Sequence, residues 1–171
     1  ASVQNIPGGE LYQALSSGAL DGLEWVGPFA DERAGFQEVA KVYCTAGFHE
    51  PGSGLSASVN LDVWNDLTPQ HQAILRNASM ATTHLQLSET LANNGAALAR
   101  LQAQGVKTLQ FPDDVWDAFG AASKEVMDEN MDDELFAQIR GSFEESLKTS
   151  SAWIEKSDGY YVQQRNRVLG S

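Results

Sequence analysis

Two short stretches place carboxylates beside groups that can line a binding site. In "LEWVGP", residues 23–28, Glu24 stands next to Trp25 just before the break at Gly27 and Pro28. In "GFHEPGSG", residues 47–54, His49 stands next to Glu50 just before Pro51 and Gly52. Each pair closes an apolar run and precedes a change of chain direction. In α/β sheets, ligands gather beyond the carboxyl ends of the strands. Two carboxylates brought together there repel unless a cation sits between them. A hard cation such as Na⁺ or Ca²⁺ takes carboxylate and backbone carbonyl oxygens. The same residues also have a plainer reading, with Glu24 a solvated turn residue, Trp25 a core aromatic and His49 a hydrogen-bonded packing residue.

Other chemistries find little here. His71 and His84 fall on one long helical pattern, at a spacing that does not stack them on adjacent turns, and no HExxH motif is present. They read as surface helix residues. "GSG" at residues 52–54 lacks the GxSxG nucleophile elbow. "NIPGGE" has neither the GxGxxG nor the GxxxxGK[ST] pattern of a phosphate loop. Cys44 is the single cysteine, so no intrachain disulfide and no cysteine zinc cluster can form. The 171 residues carry 23 acidic and 11 basic side chains, a formal net charge of −12. That balance argues against nucleic acid and against an anionic membrane surface, both of which need clustered Lys and Arg. The first ten residues lack the basic start and apolar run of a secretory leader.

The elements that must position these residues follow from periodicity. Short strands are expected at residues 3–6, 42–46, 55–61 and 106–111, and residues 20–26 fit a short buried strand or its approach. Helices are expected over 10–16, with Gly18 as C-cap, and over 32–39, with Asp31 as N-cap. A short helix is expected over 62–66. Thr68 and Pro69 have the types of an N-cap and an N1 residue, and they open a pattern that keeps helical spacing to Gly105. Asn93-Asn94-Gly95 is a candidate bend in it. Asp113 or Asp114, and then Asp132 or Asp133, are candidate caps of two further helices, and residues 160–169 read as helical. Trp64, Trp116 and Trp153 lie in amphipathic segments as core or interface residues. The fold class is therefore α/β and helix-rich, with short strands first and long helices after Thr68.

"GGELYQALSSGALDGLEWVGPF" followed by "GFHEPGSG" resembles the solute-binding proteins of TRAP transporters, in particular the subgroup that binds 2-oxo acids and related small monocarboxylates. The resemblance extends through "VWNDLTPQHQAI" and "GVKTLQFPDDVWDAF" to the helical tail. It implies a fragment of a type II periplasmic-binding-protein-like fold, similar to the C-terminal half of a bilobed receptor. Residues 1–54 would then belong to the second lobe, and 55–171 to the first lobe and the C-terminal helices. The resemblance implies a metal site made by Glu24, the Trp25 backbone carbonyl and Glu50. It implies a substrate site of Trp25, Glu24, Glu50 and His49, with the Trp25 ring walling the aliphatic part of a small acid. It also implies Na⁺ or Ca²⁺ as bridging ion, a small carboxylate as ligand, TRAP membrane subunits and a homodimer as partners, a periplasmic location and no catalysis. A substrate-pairing arginine of the family falls in the half that this stretch does not match, so the piece by itself is expected to bind weakly or not at all. Two readings from other classes stand beside this one. One is a metal-dependent hydrolase using Glu24, Glu50 and His49. The other is a helical self-association protein.

Overall fold

A computed structural model of the chain describes residues 2–48 and 50–170. By internal contacts the chain divides into two units, Ala1–Phe111 and Pro112–Ser171.

The first unit opens with a 3₁₀ turn, Gly8–Glu10, that runs into helix α1, Leu11–Ser16. Gly18 follows α1 in the left-handed region, at φ 75°, where a side chain would be strained. Helix α2 spans Pro28–Ala34 and ends on Gly35, also left-handed at φ 78°. A 3₁₀ turn, Phe36–Glu38, leads to strand β1, Val42–Thr45. Helix α3, Leu61–Asp66, starts at Asn60, whose side chain accepts the Asp62 and Val63 N–H groups. Helix α4 spans Pro69–Ala103, with the Thr68 hydroxyl accepting the His71 N–H and Pro69 at N1. It passes through Asn93-Asn94-Gly95 without interruption. The amide of Asn93 is used within the helix, donating to the Glu89 carbonyl at 2.7 Å.

The end of α4 turns the chain into a strand. Gly105 sits at φ 86°. The Gly105 N–H bonds to the Gln102 carbonyl at 2.9 Å, and the Val106 N–H reaches back to the Leu101 carbonyl at 3.1 Å. This is a Schellman motif, which satisfies carbonyls that the helix end leaves open. Its hydrophobic partners, Leu101 and Val106, are both buried. The chain then enters strand β2, Lys107–Gln110. β2 pairs in parallel with β1, Val42 opposite Lys107 and Thr45 opposite Gln110. A parallel pair needs a long crossover, and α3 and α4 supply it. Among the described residues, the remaining buried apolar ones are Leu11, Phe36 and Ala97.

The second unit is helical. Helix α5 spans Asp113–Asp128 and helix α6 spans Glu134–Ile154. Asp133 caps α6 by accepting the Phe136 N–H. A π-helical turn, Glu155–Gly159, carries the backbone into helix α7, Tyr160–Leu169. Arg140 ties α6 to the end of α5, with Nη1 on Asp128 at 2.7 Å and Nε on Glu144 at 2.8 Å. Lys124 and then Arg140 hold the Asp128 carboxyl below its ordinary range.

Three candidate strands are not formed. Residues 3–6, 20–26 and 55–61 run as irregular chain up to the start of α3. Alternation defines an apolar face but provides no ladder partner, and a strand without one is not stable in water. Val3 and Leu55 are accordingly 93% and 74% exposed. Helix α2 also starts earlier than expected, at Pro28, so Asp31 lies in its first turn and does not cap it. Pro112 takes the cap position of α5, with Asp113 and Asp114 in the first turn, where the helix dipole favours them. Trp153 is 70% exposed, not core. His71 and His84 are exposed helix residues, as expected.

Candidate functional site

Glu24 and Trp25 lie on the irregular chain that enters α2. What holds this turn is a buried carboxylate. Asp31 is 8% exposed. Its Oδ1 accepts the Gly27 N–H at 3.0 Å and the Val26 N–H at 3.3 Å. Its Oδ2 accepts the Tyr43 hydroxyl at 2.6 Å. A first-turn carboxylate reaching back to the N–H groups that precede the helix resembles the return half of a capping box. Tyr43 is the second residue of β1, so these bonds join the strand to the turn. Gly27 takes φ 154°, a conformation that disfavours any side chain.

Gly27 also has no side chain with which to cap α2, so the N–H groups of the first turn need acceptors from elsewhere. Asn94 of α4 provides one, its Oδ1 taking the Phe29 N–H at 3.1 Å. The same stretch of α4 carries the buried Ala97 and Leu101, three and seven residues on, which is one helical face. Arg100 adds a two-pronged ion pair to Glu32 of α2, with Nη2 to Oε2 at 2.6 Å and Nε to Oε1 at 2.8 Å. The Arg100 guanidinium holds the Glu32 carboxyl below its ordinary range. The Tyr12 hydroxyl of α1 donates to Glu38, in the 3₁₀ turn after α2, at 2.8 Å.

The Trp25 ring meets Phe36 edge-to-face, with centroids 6.2 Å apart, and the residue remains 39% exposed. It lies against Gly8 so closely that a Cβ there would come 2.8 Å from ring carbon Cη2. Trp25 is thus held on two sides and open on another. Glu24 is exposed. Glu50 is exposed on the segment after β1 and accepts a hydrogen bond from the Ser53 hydroxyl. His49 lies outside the described residues. Among the described residues, no three side chains of the His, Cys, Asp and Glu types gather as a metal site. The expected donor set is different in kind, two carboxylates and one backbone carbonyl.

Burial first, and then the bond to Asp31, pushes the Tyr43 phenol well above the ordinary tyrosine value. A raised folded-state pKa contributes stability that is complete below the unfolded value of about 10 and is lost as pH rises through the folded one. The wild type is therefore expected to lose stability to alkali above about pH 10 faster than Tyr43→Phe. At pH 7 the variant is the less stable protein, because Asp31 loses a buried partner. Thermal melts of both proteins from pH 7 upward check this, since the gap between them should narrow with pH.

Residues 1–134 match the model of the DctP family, described as bacterial extracellular solute-binding protein, family 7. The chain belongs to that family. This family member is 37% identical over 153 residues to the monocarboxylate 2-oxoacid-binding periplasmic protein of Nostoc sp., a match that covers 89% of the chain and 42% of the relative. It is similar to a solved TRAP transporter solute-binding protein of Bordetella bronchiseptica, with TM-score 0.88 and 31% identity, over 98% of this chain and 50% of that one. That structure is described as a mixed-occupancy dimer with calcium and picolinate in one site and the other site apo. A second, from Pseudoalteromonas atlantica, has TM-score 0.84 and 33% identity over 95% of this chain and 50% of that one, and contains sodium and pyruvate. The chain thus spans about half the length of the relatives it matches. These relatives are solute-binding proteins, not enzymes, so the hydrolase reading has no support among them.

Sequence reasoning names Glu24, Trp25, His49 and Glu50 as candidates, and it does not single out the hydrogen-bonding residues that hold the turn at Trp25. Asp31 was legible only as a helix-start residue. Tyr43 reads only as one residue of the short strand expected over 42–46, and Asn94 as part of a candidate bend.

Proposed function

We propose that this chain forms the second half of the ligand site in a TRAP solute-binding protein that captures a small 2-oxo or 2-hydroxy monocarboxylate through a bound cation. The observation that carries the reading is the Glu24–Trp25 turn, clamped by Asp31 with an open tryptophan face, in a chain similar to a 2-oxoacid-binding protein. Glu24, the Trp25 carbonyl and Glu50 would hold the ion. Their all-oxygen chemistry suits Na⁺ or Ca²⁺, the ions found with pyruvate and picolinate in the two solved relatives. The ion supplies positive charge that an acidic chain needs in order to accept an anion. The Trp25 ring packs the short aliphatic part of the ligand, and His49, beside Glu50, is a further ligand contact.

The wider assignments rest on the same relatives. Residues 1–54 are proposed to belong to one lobe and 55–171 to the other lobe and its C-terminal helices. The protein works in the periplasm and delivers its ligand to TRAP membrane subunits. It forms a homodimer, a reading supported by apolar side chains left in solvent along α4, among them Ile74 at 61%, Leu85 at 70% and Leu91 at 74% exposed.

The test is calorimetry of pyruvate binding to the full gene product that carries this sequence, with sodium or calcium and after metal removal. Binding that depends on the ion is expected. Absence of heat with pyruvate and with other 2-oxo and 2-hydroxy acids under all conditions overturns the reading. Light scattering on the same sample should give a dimer at micromolar concentration, and a monomer overturns that part.

A further inference from the structure

We infer that Asp31 is a positioning residue for the Glu24–Trp25 turn, and that Tyr43 orients its carboxylate. The ligand role of the turn rests on the function proposed above, whereas the positioning rests on the geometry of this chain alone.

Three observations converge. First, Asp31 is buried, yet its carboxylate bonds to groups outside its own helix: the Val26 and Gly27 N–H groups at 3.3 and 3.0 Å and the Tyr43 hydroxyl at 2.6 Å. A buried carboxylate is costly unless it is fully hydrogen-bonded, so its presence at this point calls for a local reason. Second, the two backbone groups it holds are those that immediately follow Trp25. Fixing them fixes the direction in which the Trp25 carbonyl leaves the chain, because the peptide unit between Trp25 and Val26 is planar and carries that carbonyl and the Val26 N–H on opposite edges. The bond from Val26 N–H to Asp31 therefore aims the Trp25 carbonyl away from Asp31. Third, the turn has no support from regular structure of its own, since residues 20–26 belong to no strand and Gly27 brings no side chain.

Tyr43 completes the arrangement. Its hydroxyl takes Oδ2, which leaves Oδ1 for the two amides. β1 is held by its pairing with β2, so the carboxylate is referred to the sheet and not only to the first turn of a seven-residue helix. A carbonyl offered to a cation must be held within a fraction of an ångström of its working position, and the groups behind a metal ligand supply that restraint.

The experiment uses the full gene product carrying this sequence, as wild type and as Asp31→Ala, Asp31→Asn and Tyr43→Phe. Amide exchange at Val26 and Gly27, read by NMR, reports the turn without any ligand. Pyruvate affinity in sodium or calcium, read by calorimetry well below the unfolding temperature, reports the site. Asp31→Ala is expected to speed exchange at those two amides, leave amides of α6 unchanged and weaken pyruvate binding about tenfold or more. Asp31→Asn keeps an oxygen for the amides and can donate to the Tyr43 oxygen, so it should recover most of both properties. A purely structural role predicts instead a lower melting temperature with unchanged affinity. Exchange at Val26 and Gly27 unaltered in Asp31→Ala overturns the proposal, as does pyruvate affinity within about twofold of wild type. If Asp31→Ala does not fold, Tyr43→Phe carries the same comparison with a smaller expected effect. If the wild type binds no 2-oxo acid, the proposed function fails, while the exchange measurement still decides whether Asp31 holds the turn.

Discussion

Glu24→Gln is expected to weaken binding of pyruvate to the full gene product by roughly ten- to a hundredfold, and to weaken its dependence on sodium or calcium. The substitution keeps the size of the side chain and one oxygen, but removes the charge. A charge-assisted contact is worth about 1.5 to 3 kcal/mol, which sets the range. Glu24 is exposed, and the Asp31 bonds to the Val26 and Gly27 N–H groups do not involve its side chain. Trp25→Phe makes the contrast. Its backbone carbonyl survives, so metal dependence should persist while packing around the ligand loosens. Calorimetry across a metal titration separates the two variants. Wild-type affinity and wild-type metal dependence in Glu24→Gln would sink the cation-bridge reading.

Leu101→Ala is expected to destabilise the first unit by about 2 to 5 kcal/mol, the usual cost of emptying a fully enclosed leucine site. Leu101 is 2% exposed, the largest of the fully buried side chains among the described residues. It is the hydrophobic partner of Val106 in the motif that ends α4, and it shares a helix face with Ala97 and Asn94. Loss of packing there reaches two structures at once: the α2–α4 contact that bears on the Glu24–Trp25 turn, and the entry into β2. The apolar core of this unit is small, so little else can close over the cavity. Urea unfolding is the measurement, with Leu85→Ala as control. Leu85 is 70% exposed on the same helix and should change stability by about 0.5 kcal/mol or less. Equal effects at the two positions would show that Leu101 is not the keystone of the core.

Local chemistry accounts for the parts of the fold that were readable in advance. Thr68-Pro69 announces α4 because a hydroxyl acceptor and a residue without an N–H suit the first turn of any helix. Gly18 and Gly105 mark helix ends because only glycine enters the left-handed region without cost. Residues 42–46 and 106–111 both read as strands, and both contain one. The EWVGP and HEPG motifs pointed to Glu24, Trp25, His49 and Glu50, and to the family that the comparison then showed.

Pairing and capping across the chain were not readable, because each depends on a partner far away in sequence. Residues 55–61 alternate as well as any strand but find no ladder among the described residues, whereas the four-residue β1 is ordered by β2, 65 positions on in the register (Val42 opposite Lys107). Asp31 had the type of a cap, and only the folded chain turns it back toward Val26 and Gly27 and sets Tyr43 against it. Asn93 and Asn94 are indistinguishable in sequence. One bonds to its own helix and the other caps α2, because the rotation of α4 places Asn94, Ala97 and Leu101 on the face that α2 covers. A hydrogen bond or a buried face depends on what stands opposite it, and tertiary structure alone decides that.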